Sequence, residues 1–305
     1  MRNNNFEDRF LSGIDNSIKK KKEDNLFDTT LLNKLRDRFE ERYGKTRPLM
    51  KEFVDIYGAE EIMRDREHLK KIQENFKYNN QTENEKRLVA EVFECIFIEE
   101  AMKSAWIGRE ARVTPTNNFD DTVNKVDAVA EIKGKEGFQE LGLAIDVTFS
   151  KEDSELIKKM DYIKRNIDEG KSPAMIKYFK DRNGKLKKIY VPKVIIGCET
   201  ETLRQLIDLM NKKASSNEIT WKKAEHELNF HYFQTILLNE IFTQVKYFSN
   251  YAHKIGQKRT GDSYYKAQKI IEEVIKSKAL YKEQLDQKEV KDDYIMETIT
   301  NYCKY

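Results

Sequence analysis

Two stretches with the periodicity of β-strands, residues 123–132 and 141–150, constrain the fold more than any other feature of the chain. In the second stretch every other residue is apolar, and the positions between them are small or polar and include Asp146. A short glycine-containing segment joins the two stretches, which predicts an antiparallel hairpin. Because helical patterns lie on both sides of this hairpin, we expect a mixed α/β fold.

Further elements follow from the same kind of pattern. The helix predicted over residues 84–105 is apolar around most of its circumference, so we expect it to pack centrally against a sheet. Residues 109–121 predict a loop or an irregular edge. A second hairpin is predicted over residues 174–190 around an Asn-Gly pair, and residues 191–197 predict a buried strand.

The chain divides into four regions by composition and pattern. They are a polar tail (1–28), a helical N-terminal region (29–83), an α/β core (84–215) and a C-terminal helical region packed on that core (216–305). Within the core, Ser150 is predicted to cap a helix that runs to Gly170.

Charge and cysteine content limit the cellular setting. Lys and Arg total 56 and Asp and Glu total 53, so the chain lacks an overall basic character, although local patches can still bind nucleic acid. The cysteines, Cys95, Cys198 and Cys303, are few and far apart, which argues against a disulfide framework. Neither a signal peptide nor an apolar run of membrane-spanning length is visible, so we expect a cytoplasmic protein without a membrane partner.

Two carboxylates point to chemistry. Asp127 and Asp146 lie on the two predicted strands of the first hairpin, and neighbouring strands are about 5 Å apart. Both can therefore converge on one divalent cation, for which Mg²⁺, or Mn²⁺ as a substitute, is the natural choice because it prefers oxygen ligands and serves phosphate chemistry. The alternative is that each Asp is an exposed residue or pairs with a lysine.

These residues resemble the motif of the PD-(D/E)XK superfamily, the restriction-endonuclease-like nucleases. Asp127 matches the first Asp of that motif, and Asp146-Val147-Thr148 matches the (D/E)XK element. The segments DDTVNKVDAVAEI, LGLAIDVTFS and VPKVIIG also resemble a group of uncharacterised bacterial proteins associated with this fold. The resemblance covers about residues 85–255. It implies a restriction-endonuclease-like mixed sheet flanked by helices, and hydrolysis of phosphodiester bonds in DNA, with RNA as the second choice.

The chain departs from this pattern at one position. Thr148 stands where the family has a lysine, and Thr cannot supply a cation near the transition state. The resemblance suggests that Lys151, just beyond the strand, or Lys158, on the following helix, reaches back to take that role.

Other acidic residues extend the predicted site. Glu91 matches the acid that the family often carries on the preceding helix, and Glu94, Glu99 and Glu100 are the competing choices. Asp121 is predicted as a secondary metal ligand, ahead of its neighbour Asp120.

Three hypotheses follow. The first is a metal-dependent nuclease in which Asp127 and Asp146 hold the metal, Glu91 assists, and Lys151 or Thr148 orients water. The second is a catalytically degenerate module of the same fold that binds nucleic acid or a protein without cleavage. The third is a helical interaction protein in which the hairpin is scaffolding. Double-strand cutters often work in pairs, so a homodimer is also considered.

Overall fold

The structure is a computed structural model that describes the chain in five ranges, residues 27–76, 81–133, 140–148, 153–171 and 174–304. Within them, side chains are described except at residues 75–76, 81–83, 133, 140–148 and 153. Most of the predicted polar tail, together with Ser150 and Lys151, therefore lies outside the described residues.

Helices make up most of the described chain. The helices before the first strand are α1 (Thr29–Tyr43), α2 (Val54–Tyr57), α3 (Ala59–Phe76) and α4 (Gln81–Lys103). The strands and the two helices among them follow in the order β1 (Arg112–Pro115), α5 (Asn118–Asn124), β2 (Ala128–Lys133), β3 (Glu140–Thr148), α6 (Asp153–Asp168), β4 (Ala174–Lys180), β5 (Leu186–Val191) and β6 (Lys193–Gly197). The remaining helices are α7 (Thr200–Lys213), α8 (Glu218–Asn229), α9 (Phe233–Lys254), α10 (Lys258–Ser277), α11 (Tyr281–Leu285), α12 (Lys288–Lys291) and α13 (Tyr294–Tyr302).

The central sheet is mixed, with the strand order β1-β2-β3-β6. The first three strands are antiparallel, which confirms the predicted hairpin, and β6 runs parallel to β3 after a connection that includes helix α6. Strands β4 and β5 form a separate two-stranded sheet, as predicted for the second hairpin. Gly184 has a φ of 80° in its turn, a conformation that glycine adopts without strain.

The segment before β2 differs from the sequence prediction. Residues 109–121 were expected to form a loop, but they contain strand β1 and the start of helix α5, and the predicted strand over residues 123–132 begins only at Ala128. The reason is local, because the Asn117 side chain accepts a hydrogen bond from Phe119 N and caps α5. Lys125 ends this helix in a left-handed conformation, with a φ of 56°.

Helix α4 lies in the main hydrophobic core, as its all-round apolar pattern predicted. Val92, Phe93 and Phe97 are fully buried, and the helix contacts strands β1 and β3. The same core continues into the C-terminal helices through residues such as Phe233 and Phe248. Among the described helices, none combines the length and the apolar character needed to cross a membrane.

The C-terminal helices complete the edge of the sheet at β6. The Gln244 amide accepts a hydrogen bond from Ile195 N at 2.8 Å and donates one to Ile195 O at 2.6 Å. The Tyr264 hydroxyl does the same for Lys193, accepting from its N at 3.2 Å and donating to its O at 2.8 Å. Glu240 accepts from Gly197 N. These side chains satisfy backbone groups that an edge strand would otherwise leave open.

Two buried carboxyl groups lie at this junction. Burial, and next the charge of Asp293, raises the pKa of Glu240 well above its usual range. Asp293 is 2% exposed and caps helix α13 by accepting a hydrogen bond from Met296 N. Burial is also the main cause that raises the pKa of Asp293 to about 7, with a contribution from the charge of Glu199.

This pKa predicts a loss of stability as the pH rises. Between pH 4 and pH 7 the folded chain keeps the Asp293 proton that the unfolded chain releases, so the free energy of unfolding falls with pH by about 4 kcal/mol from this group. Asp293→Asn keeps a capping oxygen but cannot titrate. Urea denaturation of both proteins across this range should show a steeper loss for the wild type. Parallel pH profiles would contradict the assignment.

Candidate active site

A cleft of about 1040 Å³ collects most of the described residues that the sequence singled out. Helices α4, α5 and α6 and the ends of strands β2 and β6 contribute to its walls. Its acidic lining residues are Glu91, Glu94, Asp121 and Asp127. Its basic lining residues are Arg87, Lys125, Lys158, Lys159 and Lys193. Predicted site residues that are 36 positions apart in the chain, Glu91 and Asp127, thus face one space.

Helix α4 supplies two acids that are one turn apart. Glu91 pairs with Arg87 on its own helix, with Nε to Oε1 at 2.9 Å, and its side chain is 36% exposed. Glu94 is more buried, at 17% exposure, and it pairs with Arg47, with Nη2 to Oε1 at 3.8 Å. Glu94 was a competing choice for the helix acid, and both residues line the cleft.

Negative charge is crowded around Glu94. Burial raises the pKa of this carboxyl to about 8, and the charge of Asp121 is the next cause, while Arg47 acts in the opposite direction. A carboxyl group with a raised pKa in a cleft marks a candidate functional site. Burial and the neighbouring acid together therefore favour the protonated form of Glu94 when no cation is bound.

Asp121 and Asp127 meet in the same cleft. Asp121 lies in the first turn of α5, and Asp127 immediately precedes β2, where its backbone oxygen accepts a hydrogen bond from Thr116 N at 2.9 Å. The two carboxyl groups are within hydrogen-bond distance, and burial raises the pKa of Asp121. Two carboxyl groups this close favour a shared proton or a bound cation, because their negative charges repel each other.

Asp120 lies outside the cleft and has a structural role. Its Oδ1 accepts hydrogen bonds from Lys177 N and the Asn124 amide, and its Oδ2 accepts one from Tyr178 N at 2.9 Å. Asp120 is fully buried and ties helix α5 to strand β4. It does not line the cleft. Of the two neighbouring aspartates, Asp121 is the one that faces the cleft.

The backbone register locates the second motif. Ala128 pairs with Ile145, so continuing the antiparallel register by one residue sets Asp127 opposite Asp146. On its other side, Asp146 is in register with Ile195, and Thr148 with Gly197. The side chains of Asp146 and Thr148 are not among those described, and Lys151 lies outside the described residues.

Two lysines at the cleft are candidates for the missing cation. Lys158, one of the alternatives to Lys151, is 68% exposed and pairs with Glu155 at 2.6 Å. Lys193 is only 1% exposed, and its Nζ donates a hydrogen bond to Lys125 O. The sequence analysis did not single out Lys193. The available signal was one charged residue in the otherwise apolar segment VPKVIIG.

Other candidates from the sequence lie elsewhere. Glu99 pairs with Arg42 and Lys103, and Glu100 pairs with Lys213 at 2.6 Å. Neither glutamate lines the cleft.

The donor chemistry of the cleft fits a hard divalent cation. Among the side chains that the structure describes, no three acidic, His or Cys groups form a complete ligand set around one point. Mg²⁺ does not need such a set, since it is usually held by one or two carboxylates and keeps several waters. The Asp121–Asp127 pair supplies carboxylate oxygens that are close together and partly buried. Comparison of the chain with protein-family models, curated proteins and solved structures finds no match.

Proposed function

We propose that this chain is a metal-dependent nuclease that hydrolyses phosphodiester bonds in DNA. The single observation that carries the proposal is the meeting of Glu94, Asp121 and Asp127 in one cleft, at the point where the strand register sets Asp127 opposite Asp146. The PD-(D/E)XK resemblance implies acidic groups on a helix, at the start of one strand and on its hairpin partner, which are the places of Glu94, Asp127 and Asp146.

The fold supports this proposal. The mixed four-stranded sheet has helices α4 and α6 packed in the same core, and its two antiparallel strands β2 and β3 carry the motif. We therefore propose a restriction-endonuclease-like core for the region around this sheet.

The proposed metal is Mg²⁺, with Mn²⁺ as a substitute, held by Asp127 and Asp146 with Asp121 as a secondary ligand. The bound cation would neutralise the negative charge that develops on the phosphate during hydrolysis. A cation bound beside Glu94 would favour the ionised form of this carboxyl, and Glu91 holds Arg87 beside the cleft through their 2.9 Å contact.

Lys193 is proposed to fill the role that Thr148 cannot. It is a buried cation on β6, two residues before the partner of Asp146 in the strand register. Burial in a low-dielectric cleft strengthens its attraction for a phosphate oxygen. The Tyr264 hydroxyl bonds both the backbone N and the backbone O of Lys193. These two bonds hold the Lys193 backbone in place before substrate arrives.

A second candidate function rests on Thr148. A chain that lacks the motif lysine is a candidate for a degenerate module that binds nucleic acid, or a protein partner, without cleavage. A cytoplasmic location is proposed as well, in keeping with the free cysteines Cys95, Cys198 and Cys303. Pairing of two chains stays a prediction.

A nuclease assay separates the two functions. Plasmid DNA, oligonucleotides and RNA are incubated with the wild type in Mg²⁺, Mn²⁺ or chelator, and we expect metal-dependent cleavage of DNA. Lys193→Met should lower the rate by about a hundredfold, which is typical for removal of one group that stabilises transition-state charge. Lys269→Met, at an exposed residue on α10, is the matched control. Binding without cleavage in every metal would favour the second function, and an unaffected Lys193→Met rate would refute the role of Lys193.

A further inference from the structure

We propose that the cleft accepts DNA as a single strand, with one base stacked on Tyr162. This inference rests on the proposed nuclease function and names the form of its substrate. It follows from an exposed aromatic ring and a group of cations in the cleft.

Tyr162 presents its ring at the cleft. It lies on helix α6, is 44% exposed, and lines the same space as the acidic residues. Lys158 and Lys159 precede it by four and three residues, so the three side chains share one helix face. An exposed aromatic ring beside two lysines can stack on a base while the lysines contact the flanking phosphates.

Lys193 lies close to this ring. Its Nζ is 5.8 Å from the centroid of the Tyr162 ring, within range of a cation–π contact. This contact links the exposed ring to a buried lysine. A base stacked on Tyr162 would therefore place its own strand next to the proposed site of hydrolysis.

The charges divide the cleft into a basic part and an acidic part. Arg87, 72% exposed, and Lys158, 68% exposed, contribute positive charge near solvent. The carboxyl groups of Glu94 and Asp121 are half-buried in the same cleft. The exposed lysine and arginine side chains attract the phosphates along a DNA strand. Beside the acidic residues, a phosphate is stabilised only when a metal ion is bound between them.

Stacking on Tyr162 itself selects for an unpaired base. The faces of a base inside a duplex are covered by its neighbours, whereas a base in a single strand or at an unpaired end can stack on an aromatic side chain. The cleft, of about 1040 Å³, has room for a nucleotide beside this ring.

The test measures binding and not cleavage. Fluorescence anisotropy follows a labelled oligothymidylate and a duplex of equal length on the full chain in Ca²⁺, with the DNA checked on gels. We expect the single strand to bind more tightly than the duplex. Tyr162→Ala should weaken single-strand binding about tenfold, and Tyr162→Phe should stay within about twofold because it keeps the ring. Tyr265→Ala, at a 48% exposed tyrosine on α10, should bind like the wild type.

Each outcome decides the inference. Equal binding of duplex and single strand, or unchanged binding by Tyr162→Ala, overturns it. If Tyr162→Ala binds normally while the wild type cleaves duplex DNA, the single-strand inference fails and the nuclease function stands. If the wild type neither binds nor cleaves any nucleic acid, both fail together.

Discussion

Asp127→Asn is expected to reduce Mg²⁺-dependent DNA cleavage by at least about a thousandfold. Asn keeps the size of the side chain and removes the charge of one proposed ligand. Charge stabilisation by a metal is worth several kcal/mol, and each 1.4 kcal/mol corresponds to about tenfold in rate, so loss of the metal accounts for this fall. The measurement is the initial rate of oligonucleotide cleavage at saturating substrate.

The fold should tolerate this change. Asp127 shares its cleft with Glu94 and Asp121, whose pKa values are both raised by burial, so removing one negative charge relieves repulsion. We therefore expect Asp127→Asn to unfold at the same temperature as the wild type or higher. Asp37→Asn, at a residue whose side chain is 70% exposed on α1, is the control. An Asp127→Asn protein that cleaves at the wild-type rate would remove Asp127 from the site.

Gln244→Leu is expected to lower the free energy of unfolding by about 2–6 kcal/mol. The Gln244 amide is fully buried and bonds both Ile195 N and Ile195 O. Leucine has a similar volume but leaves two buried backbone groups without these partners, and each unsatisfied group costs about 1–3 kcal/mol. Urea denaturation followed by circular dichroism measures the loss.

A matched variant tests whether the position matters or only the chemistry. Gln268→Leu, on α10, removes a glutamine whose amide bonds Glu272 within its own helix. It should change the free energy of unfolding by less than about 1 kcal/mol, since such helix pairs are worth only a few tenths. If Gln244→Leu lowers the free energy of unfolding no more than Gln268→Leu does, the hydrogen bonds of Gln244 do not stabilise the edge of β6.

Much of the central hairpin was predictable because its signal is local. The alternation of residues 141–150 and the short glycine-containing link determine which strands pair. The observed register, continued by one residue beyond Ala128 and Ile145, sets Asp127 opposite Asp146. Helix α5 was missed since its seven residues are too few for a periodic pattern, although Asn117 at its start is a capping signal.

The rest of the site depends on long-range packing. In the sequence, Lys193 differs from its neighbours only as one charged residue in an apolar strand. Its place in the cleft comes from the pairing of β6 with β3. The same holds for Glu94, which sequence spacing could not separate from Glu91, Glu99 and Glu100. Which of these glutamates faces the cleft depends on which side of α4 is covered by neighbouring elements. The periodicity of the helix does not specify which side that is.

Manganese in the cleft is the most direct test of the central claim. A crystal of the full chain soaked in Mn²⁺ and measured at the manganese absorption edge should give one strong anomalous peak between Asp127 and Asp146. The same soak of Asp127→Asn should lose the peak. Wild-type crystals with no peak at that position, and with the two carboxyl groups turned away from each other, would contradict the metal site and the nuclease function that depends on it.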